Sequence, residues 1–132
     1  MKTYWDSSAL VAALDGDPDA QASFLADAEA TTRTHTLVEC YSTLTGGRLG
    51  HRYAGDDAAR MIASHAARMQ LVDLTSAQVL DALKDARKRS ARGGAVHDLM
   101  HAVCAELVGA DRIATYNTSD FRALTKLDLF EP

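Results

Sequence analysis

Lys2-Thr3-Tyr4-Trp5-Asp6-Ser7-Ser8-Ala9-Leu10-Val11 is the stretch from which the fold is read. Thr3, Tyr4 and Trp5 are β-branched or aromatic and favour a strand, whereas Ala9 to Leu14 is a run of helix formers. Between them the polar Asp6-Ser7-Ser8 marks the junction, with Asp6 at the carboxyl end of the strand and Ser7 or Ser8 as helix N-cap. In an open α/β sheet the ligand crevice lies outside the carboxyl ends of the strands, which places Asp6 for chemistry. The alternative is that Asp6 serves only as a helix cap.

The same alternation continues outward. Asp15-Gly16-Asp17-Pro18 reads as a turn and helix start, followed by a helix over residues 20–30 anchored by Phe24 and Leu25. Thr31 to His35 has strand propensity, and Thr36 can cap a helix that carries Leu37, Val38, Glu39, Cys40 and Leu44 and stops at Gly46-Gly47. A helix over residues 55–68 leads to Leu71-Val72-Asp73-Leu74, read as a short buried strand. Thr75 or Ser76 caps the next helix, and Gly93-Gly94 separates its basic end from a helix bearing Val96, Leu99, Met100, Val103 and Cys104. Residues 112–116 read as a strand, 117–121 as a polar loop and 127–130 as a last strand. Strands alternating with helices predict a three-layer α/β/α domain around a short, mainly parallel central sheet.

The 132 residues fit one domain, 1–132, and 47% hydrophobic content suffices for its core. A net charge of −4 argues against a surface that binds nucleic acid throughout but leaves room for a local basic patch. Cys40 and Cys104 stand apart in apolar helical patterns, which predicts reduced core thiols and a cytoplasmic setting. No run approaches the roughly 18 apolar residues of a membrane span, so no membrane association is expected.

Four acids stand out by position: Asp6 after the first strand, Glu39 after the second, Asp98 early in the helix behind Gly93-Gly94, and Asp120 after the strand at 112–116. Right-handed parallel crossovers bring strand ends to one edge, where these carboxylates could converge. Such a cluster repels itself unless a cation neutralises it, and all-oxygen ligation suits Mg²⁺ or Mn²⁺. Capping and solvated-surface roles are the plain alternative.

Tyr4-Trp5-Asp6-Ser7-Ser8-Ala9-Leu10, Thr36-Leu37-Val38-Glu39, Gly93-Gly94-Ala95-Val96-His97-Asp98 and Ala114-Thr115-Tyr116-Asn117-Thr118-Ser119-Asp120-Phe121 together resemble the PIN-domain family, in particular its VapC-type toxin branch. The match runs in order over nearly the whole chain. The resemblance implies a metal-dependent endoribonuclease, the toxin of a toxin–antitoxin pair, with Asp6, Glu39, Asp98 and Asp120 as the catalytic acids. Asp6, Asp98 and Asp120 would bind Mg²⁺ or Mn²⁺, with Ser7, Thr115 and Asn117 in support. Many relatives have Asp where this chain has Asn117, so either Asn117 or Asp120 could fill the fourth place; a carboxylate neutralises a cation and an amide does not. The resemblance further implies an RNA substrate such as tRNA, a VapB-type antitoxin and a homodimer.

Lys84, Arg87, Lys88, Arg89 and Arg92 form the one marked basic cluster. They read either as a helix end solvated against its dipole or, with Lys88, Arg89 and Arg92 foremost, as an RNA-backbone track leading to Asp98. His97 and His101, four apart, invite a zinc or His-Asp phosphohydrolase reading, but the α/β pattern favours ordinary helix-face or interface histidines. A PIN-like domain that binds RNA or protein without cleaving is the alternative function.

Overall fold

The computed structural model describes residues 1–132. In chain order the elements are β1 (Thr3–Trp5), α1 (Ser7–Leu14), α2 (Pro18–Ala26), β2 (Thr31–Arg33), α3 (Thr34–Gly46), α4 (Gly55–Ala66) and β3 (Gln70–Val72). There follow α5 (Ser76–Asp85), a 3₁₀ turn (Ala86–Arg89), α6 (Ala95–Leu107), β4 (Arg112–Ala114), α7 (Thr118–Arg122) and β5 (Asp128–Phe130). The five strands form one sheet in the order β3-β2-β1-β4-β5, and every pairing is parallel.

β1 is the central strand because both of its faces are apolar, as a strand covered on both sides requires. Tyr4 points into a core with Leu99, Met100, Cys104, Ile113 and Phe121. Its neighbour Trp5, alternating to the other face, packs with Leu10, Phe24, Leu44, Ile62 and Ala114. The helices α1 to α4 therefore cover one face and α5 to α7 the other, which is the expected three-layer architecture.

The strand order also fixes where a site can form. From β1 the chain winds outward through β2 to β3, then returns to lay β4 along the opposite side of β1. The reversal lies between β1 and β4, in register Tyr4 to Ile113 and Trp5 to Ala114. At such a switch point the connections leave in opposite directions and open a crevice at the carboxyl ends of the strands.

Several local expectations are corrected. Asp6 itself is the N-cap of α1, its side chain accepting from the Ala9 amide. β2 ends at Arg33 and α3 begins at Thr34, two residues before Thr36; the Thr36 hydroxyl is buried and accepts from Thr32 instead of capping. The strand expected to be buried at 71–74 is the edge strand β3, with Leu71 40% exposed, because nothing pairs beyond it. The helix after residue 20 ends at Ala26, and the segment read as loop at 117–121 contains the five-residue α7. Thr75 caps α5 in a capping box, its hydroxyl accepting from the Gln78 amide at 3.1 Å and its own amide donating to the Gln78 side chain at 2.9 Å. Cys40 and Cys104 are buried and free, and burial pushes both thiols up, Cys104 to about 11, so they are inert core groups. No helix is long and apolar enough to cross a membrane.

Candidate active site

Asp6 leaves β1 at the switch point and is 1% exposed. Its Oδ1 accepts from the Ala9 amide at 2.9 Å and from the Ser8 hydroxyl at 2.8 Å; its Oδ2 accepts from the Thr115 hydroxyl at 2.5 Å. Burial pushes its carboxyl above the usual range, opposed by the Ala9 amide, Thr115, His101 and Ser8. Capping and site-building are thus one act. The carboxylate that closes the first turn of α1 is pinned by the hydroxyl that β4 delivers across the switch point.

Thr115 follows β4 directly and is fully buried. Besides donating to Asp6, its oxygen accepts from the Asn117 amide at 2.9 Å, so one hydroxyl ties the exit of β4 to the exit of β1. Ser8 Oγ accepts from the Tyr116 amide at 3.0 Å and completes the tie. Ser7, the serine expected in support, lies along a cavity with Glu39 and His97, and the serine that donates to Asp6 is Ser8. The spacing carries the signal: a serine two residues beyond an Asx N-cap reaches back to the capping carboxylate.

Asp98 stands in the first turn of α6, just behind the Gly93-Gly94 break. Burial pushes its carboxyl up; His101 opposes this, while the negative charges of Asp6, Asp120 and Glu39 push it further up. Asp98 thus feels the charges of the other three candidate acids. It shares an open cavity of about 470 Å³ with Asp120, Arg89, Ser90 and Ser119. Asp120 comes from α7 and is exposed. Asn117, also exposed, is the N-cap residue of α7 without a capping side-chain bond and does not line that cavity.

Glu39 projects from α3 into a second cavity of about 440 Å³, lined also by Ser7, His35, Ser42, Arg48 and His97. Burial raises its carboxyl, but the contact with His101, together with His35 and Arg33, outweighs this and holds it below the usual range. His101 Nε2 lies 2.8 Å from Glu39 Oε1, yet neither atom completes a hydrogen bond, so the pair is close but out of line. His101 is 1% exposed, and its Nδ1 is 2.8 Å from the Tyr4 hydroxyl. The helix-face reading of His101 missed this. The pattern did contain it: Tyr4 and Asp6, two apart on a strand, share a face, and Asp98 and His101, three apart on a helix, share another.

Asp6, Glu39 and Asp120 each come within range of Asp98's charge, but no group of three His, Cys, Asp or Glu side chains is drawn together tightly enough to hold an ion. That applies equally to the zinc reading of His97 and His101, since His97 is exposed and His101 buried. In the basic cluster, Arg89 is tied down: its guanidinium donates to Glu106 at 2.7 Å and to the Leu124 carbonyl at 2.9 Å, with Asp85 3.7 Å away. Lys88, 3.6 Å from Asp85, has a side chain 83% exposed, and Arg92 stands at the surface without an ion pair.

A family model described as PIN domain matches residues 3–127. No curated protein sequence matches the chain. Among solved structures, the chain is similar to VapBC2 from Rickettsia felis bound to a DNA fragment from their promoter, with a TM-score of 0.74, 15% identity and 98% of each chain covered. It is also similar to VapC20 of Mycobacterium tuberculosis, a sarcin-ricin loop cleaving toxin, with a TM-score of 0.68, 17% identity and coverage of 96% of this chain and 99% of that one. VapBC-1 from nontypeable Haemophilus influenzae gives a TM-score of 0.69 at 19% identity, over 99% of this chain and 98% of that one.

Proposed function

The chain belongs to the PIN-domain family, and from that premise we propose that it is a metal-dependent endoribonuclease and the toxin of a VapBC-type toxin–antitoxin pair. One observation carries the reading. The half-buried Asp98 carboxyl is made less acidic first by its burial and further by the charges of Asp6, Asp120 and Glu39, as in a cluster of carboxylates that a cation would relieve. The donor set is all oxygen and acidic, which fits Mg²⁺ or Mn²⁺ and disfavours softer metals. Asp6, Asp98 and Asp120 are the carboxylates that would hold the ion, and they would have to draw closer around it than they stand in this structure. When bound, such an ion supplies Lewis-acid polarisation of a phosphodiester and acidifies water at the site.

The chain's own residues supply the rest. The Ala9 amide and the Ser8 and Thr115 hydroxyls fix the Asp6 carboxylate in a single orientation, so little reorganisation remains to be done during reaction. Glu39, held ionised beside the Ser7 and Arg48 cavity, is suited to orient the attacking water and accept its proton. Asp120 takes the fourth place in preference to Asn117, because it shares the cavity of Asp98. No side-chain nucleophile is needed.

RNA binding falls to cations at the surface. Lys88, its side chain 83% exposed with Asp85 3.6 Å away, and Arg92, which has no ion pair, remain available, whereas Arg89 is engaged within the fold. Arg48, with His35 and His97, lines the cavity of Glu39. The reading extends to a structured RNA such as tRNA as substrate, a VapB-type antitoxin covering the crevice, a homodimer and a cytoplasmic setting. Cleavage of total cellular RNA in Mg²⁺ or Mn²⁺, with fragment ends mapped and an EDTA control, tests it. Fragmentation that ignores EDTA, or its absence under all conditions, favours the non-catalytic binding domain.

A further inference from the structure

His101 is a fully buried imidazole whose two nitrogens face polar atoms from two other elements: the Tyr4 hydroxyl of β1 at Nδ1 and the Glu39 carboxylate of α3 at Nε2, each 2.8 Å away. Glu39 Oε1 and His101 Nε2 are both buried and complete no hydrogen bond, although they lie 2.8 Å apart. Buried polar atoms seldom go unpaired, and here each is the partner at hand for the other. The Glu39 side chain, 24% exposed, has freedom to turn into line, while the ring between α6 and β1 does not.

We propose that His101 is a positioning residue. The Tyr4 hydroxyl donates to Nδ1, which puts the ring proton on Nε2, and that N–H orients the Glu39 carboxylate toward the acids of the crevice. The inference rests on the nuclease reading for its consequence and on geometry alone for its tautomer. Carboxylate orientation by a second residue matters as much as the carboxylate itself, because an acceptor turned away from the attacking water does no work. The coupling also explains a placement that the apolar pattern of α6 does not: a histidine in the core one turn beyond Asp98, on the face that Tyr4 and Asp6 meet.

Two side chains separate positioning from packing. In His101→Gln the amide nitrogen reaches about as far as Nε2 and keeps a donor toward Glu39; in His101→Asn the amide reaches only as far as Nδ1 and keeps Tyr4 alone. With RNA as substrate and Mn²⁺ present, His101→Asn lowers kcat by roughly 10–100-fold, the range for losing a group that orients a site carboxylate, with KM within about twofold, and His101→Gln restores most of kcat. Independently of activity, nitrogen-15 spectra of the metal-free wild type show His101 protonated on Nε2. Equal kcat in wild type and a folded His101→Asn variant overturns the proposal, as does an Nδ1–H tautomer in the wild type. If His101→Asn does not fold, a folded His101→Gln whose kcat falls by the full factor of roughly 10–100 overturns it too. A wild type that leaves RNA intact fails the nuclease reading, and the tautomer then decides the geometric claim by itself.

Discussion

Thr115→Val removes the hydroxyl that joins the exits of β1 and β4 and leaves the shape of the side chain almost unchanged. In the wild type that hydroxyl donates to the buried Asp6 Oδ2 at 2.5 Å and accepts from the Asn117 amide at 2.9 Å. A hydrogen bond to a charged group is worth about 1.5–3 kcal/mol, more than a neutral one. Asn117 is exposed, so water replaces its lost acceptor and that bond adds little. The expected loss is therefore about 2 kcal/mol, nearly all of it through Asp6. For a domain of 132 residues this corresponds to a fall in Tm of about 7 °C, taking roughly 2.1 cal/mol/K of unfolding entropy per residue. The decisive assay is a double-mutant cycle in EDTA with Asp6→Asn, since the uncharged amide removes most of what Thr115 stabilises. Thermal melts of the four proteins should give a coupling of more than about 1 kcal/mol, whereas sites that do not interact add to within roughly 0.3–0.5 kcal/mol. Additive losses would refute the claim that Thr115 acts through the Asp6 carboxylate.

Three further outcomes follow from the geometry. Asp6 and Asp98 have carboxyls raised in the fold, so the metal-free folded state holds their protons more tightly than the unfolded chain; the stability these two groups contribute is fullest below the ordinary carboxylate range and declines as pH rises through the raised values. Asp98→Asn should accordingly match the wild-type Tm in acid and exceed it near neutrality in EDTA, as thermal melts across pH will show. Replacing Lys88 and Arg92 by Ala should flatten the salt dependence of RNA binding by about 1.4 in log–log slope with unchanged Tm, whereas Arg89→Ala should lower Tm by breaking its bonds to Glu106 and Leu124. Tyr53→Phe, which deletes the 2.6 Å bond to Asp15, should cost about 1 kcal/mol at neutral pH. Burial raises the Asp15 carboxyl, but Tyr53 and His51 together hold it below the usual range, so that contribution fades as pH falls through the lowered value.

The frame of the fold was readable because its signals are local. β-branched and aromatic residues at Thr3-Tyr4-Trp5, the polar junction Asp6-Ser7-Ser8 and an Ala-Leu-Val run define β1 and α1 without tertiary help, and Gly93-Gly94 sets the start of α6 beside Asp98. What escaped depends on neighbours. α7 has five residues, too few to display a helical period, and forms where Asp120 and Phe121 donate their amides back to the Asn117 carbonyl. β3 carries the apolar Leu71-Val72 of a buried strand but sits at the sheet edge, a matter of strand order that its own residues do not encode. Asp6, Glu39, Asp98 and Asp120 could be picked out by position after strands, but the tie through Ser8 and Thr115 and the contact of His101 with Tyr4 and Glu39 join residues up to 109 apart in sequence. Those pairings follow from the parallel register of β1 with β4 and from the packing of α6 under β1, neither of which a one-dimensional pattern displays.

The proposed cation site at Asp6, Asp98 and Asp120 is measured most directly by the thermal stability of the wild type and of Asp98→Asn, each in EDTA and in Mn²⁺. An ion that binds only the folded site stabilises it by mass action, about 2.7 kcal/mol at 100 times the dissociation constant, or roughly 10 °C in a domain of this size. The account predicts a rise of that order for the wild type and a clearly smaller one for Asp98→Asn at the same Mn²⁺ concentration. Equal shifts in the two proteins, or none in either, would contradict it.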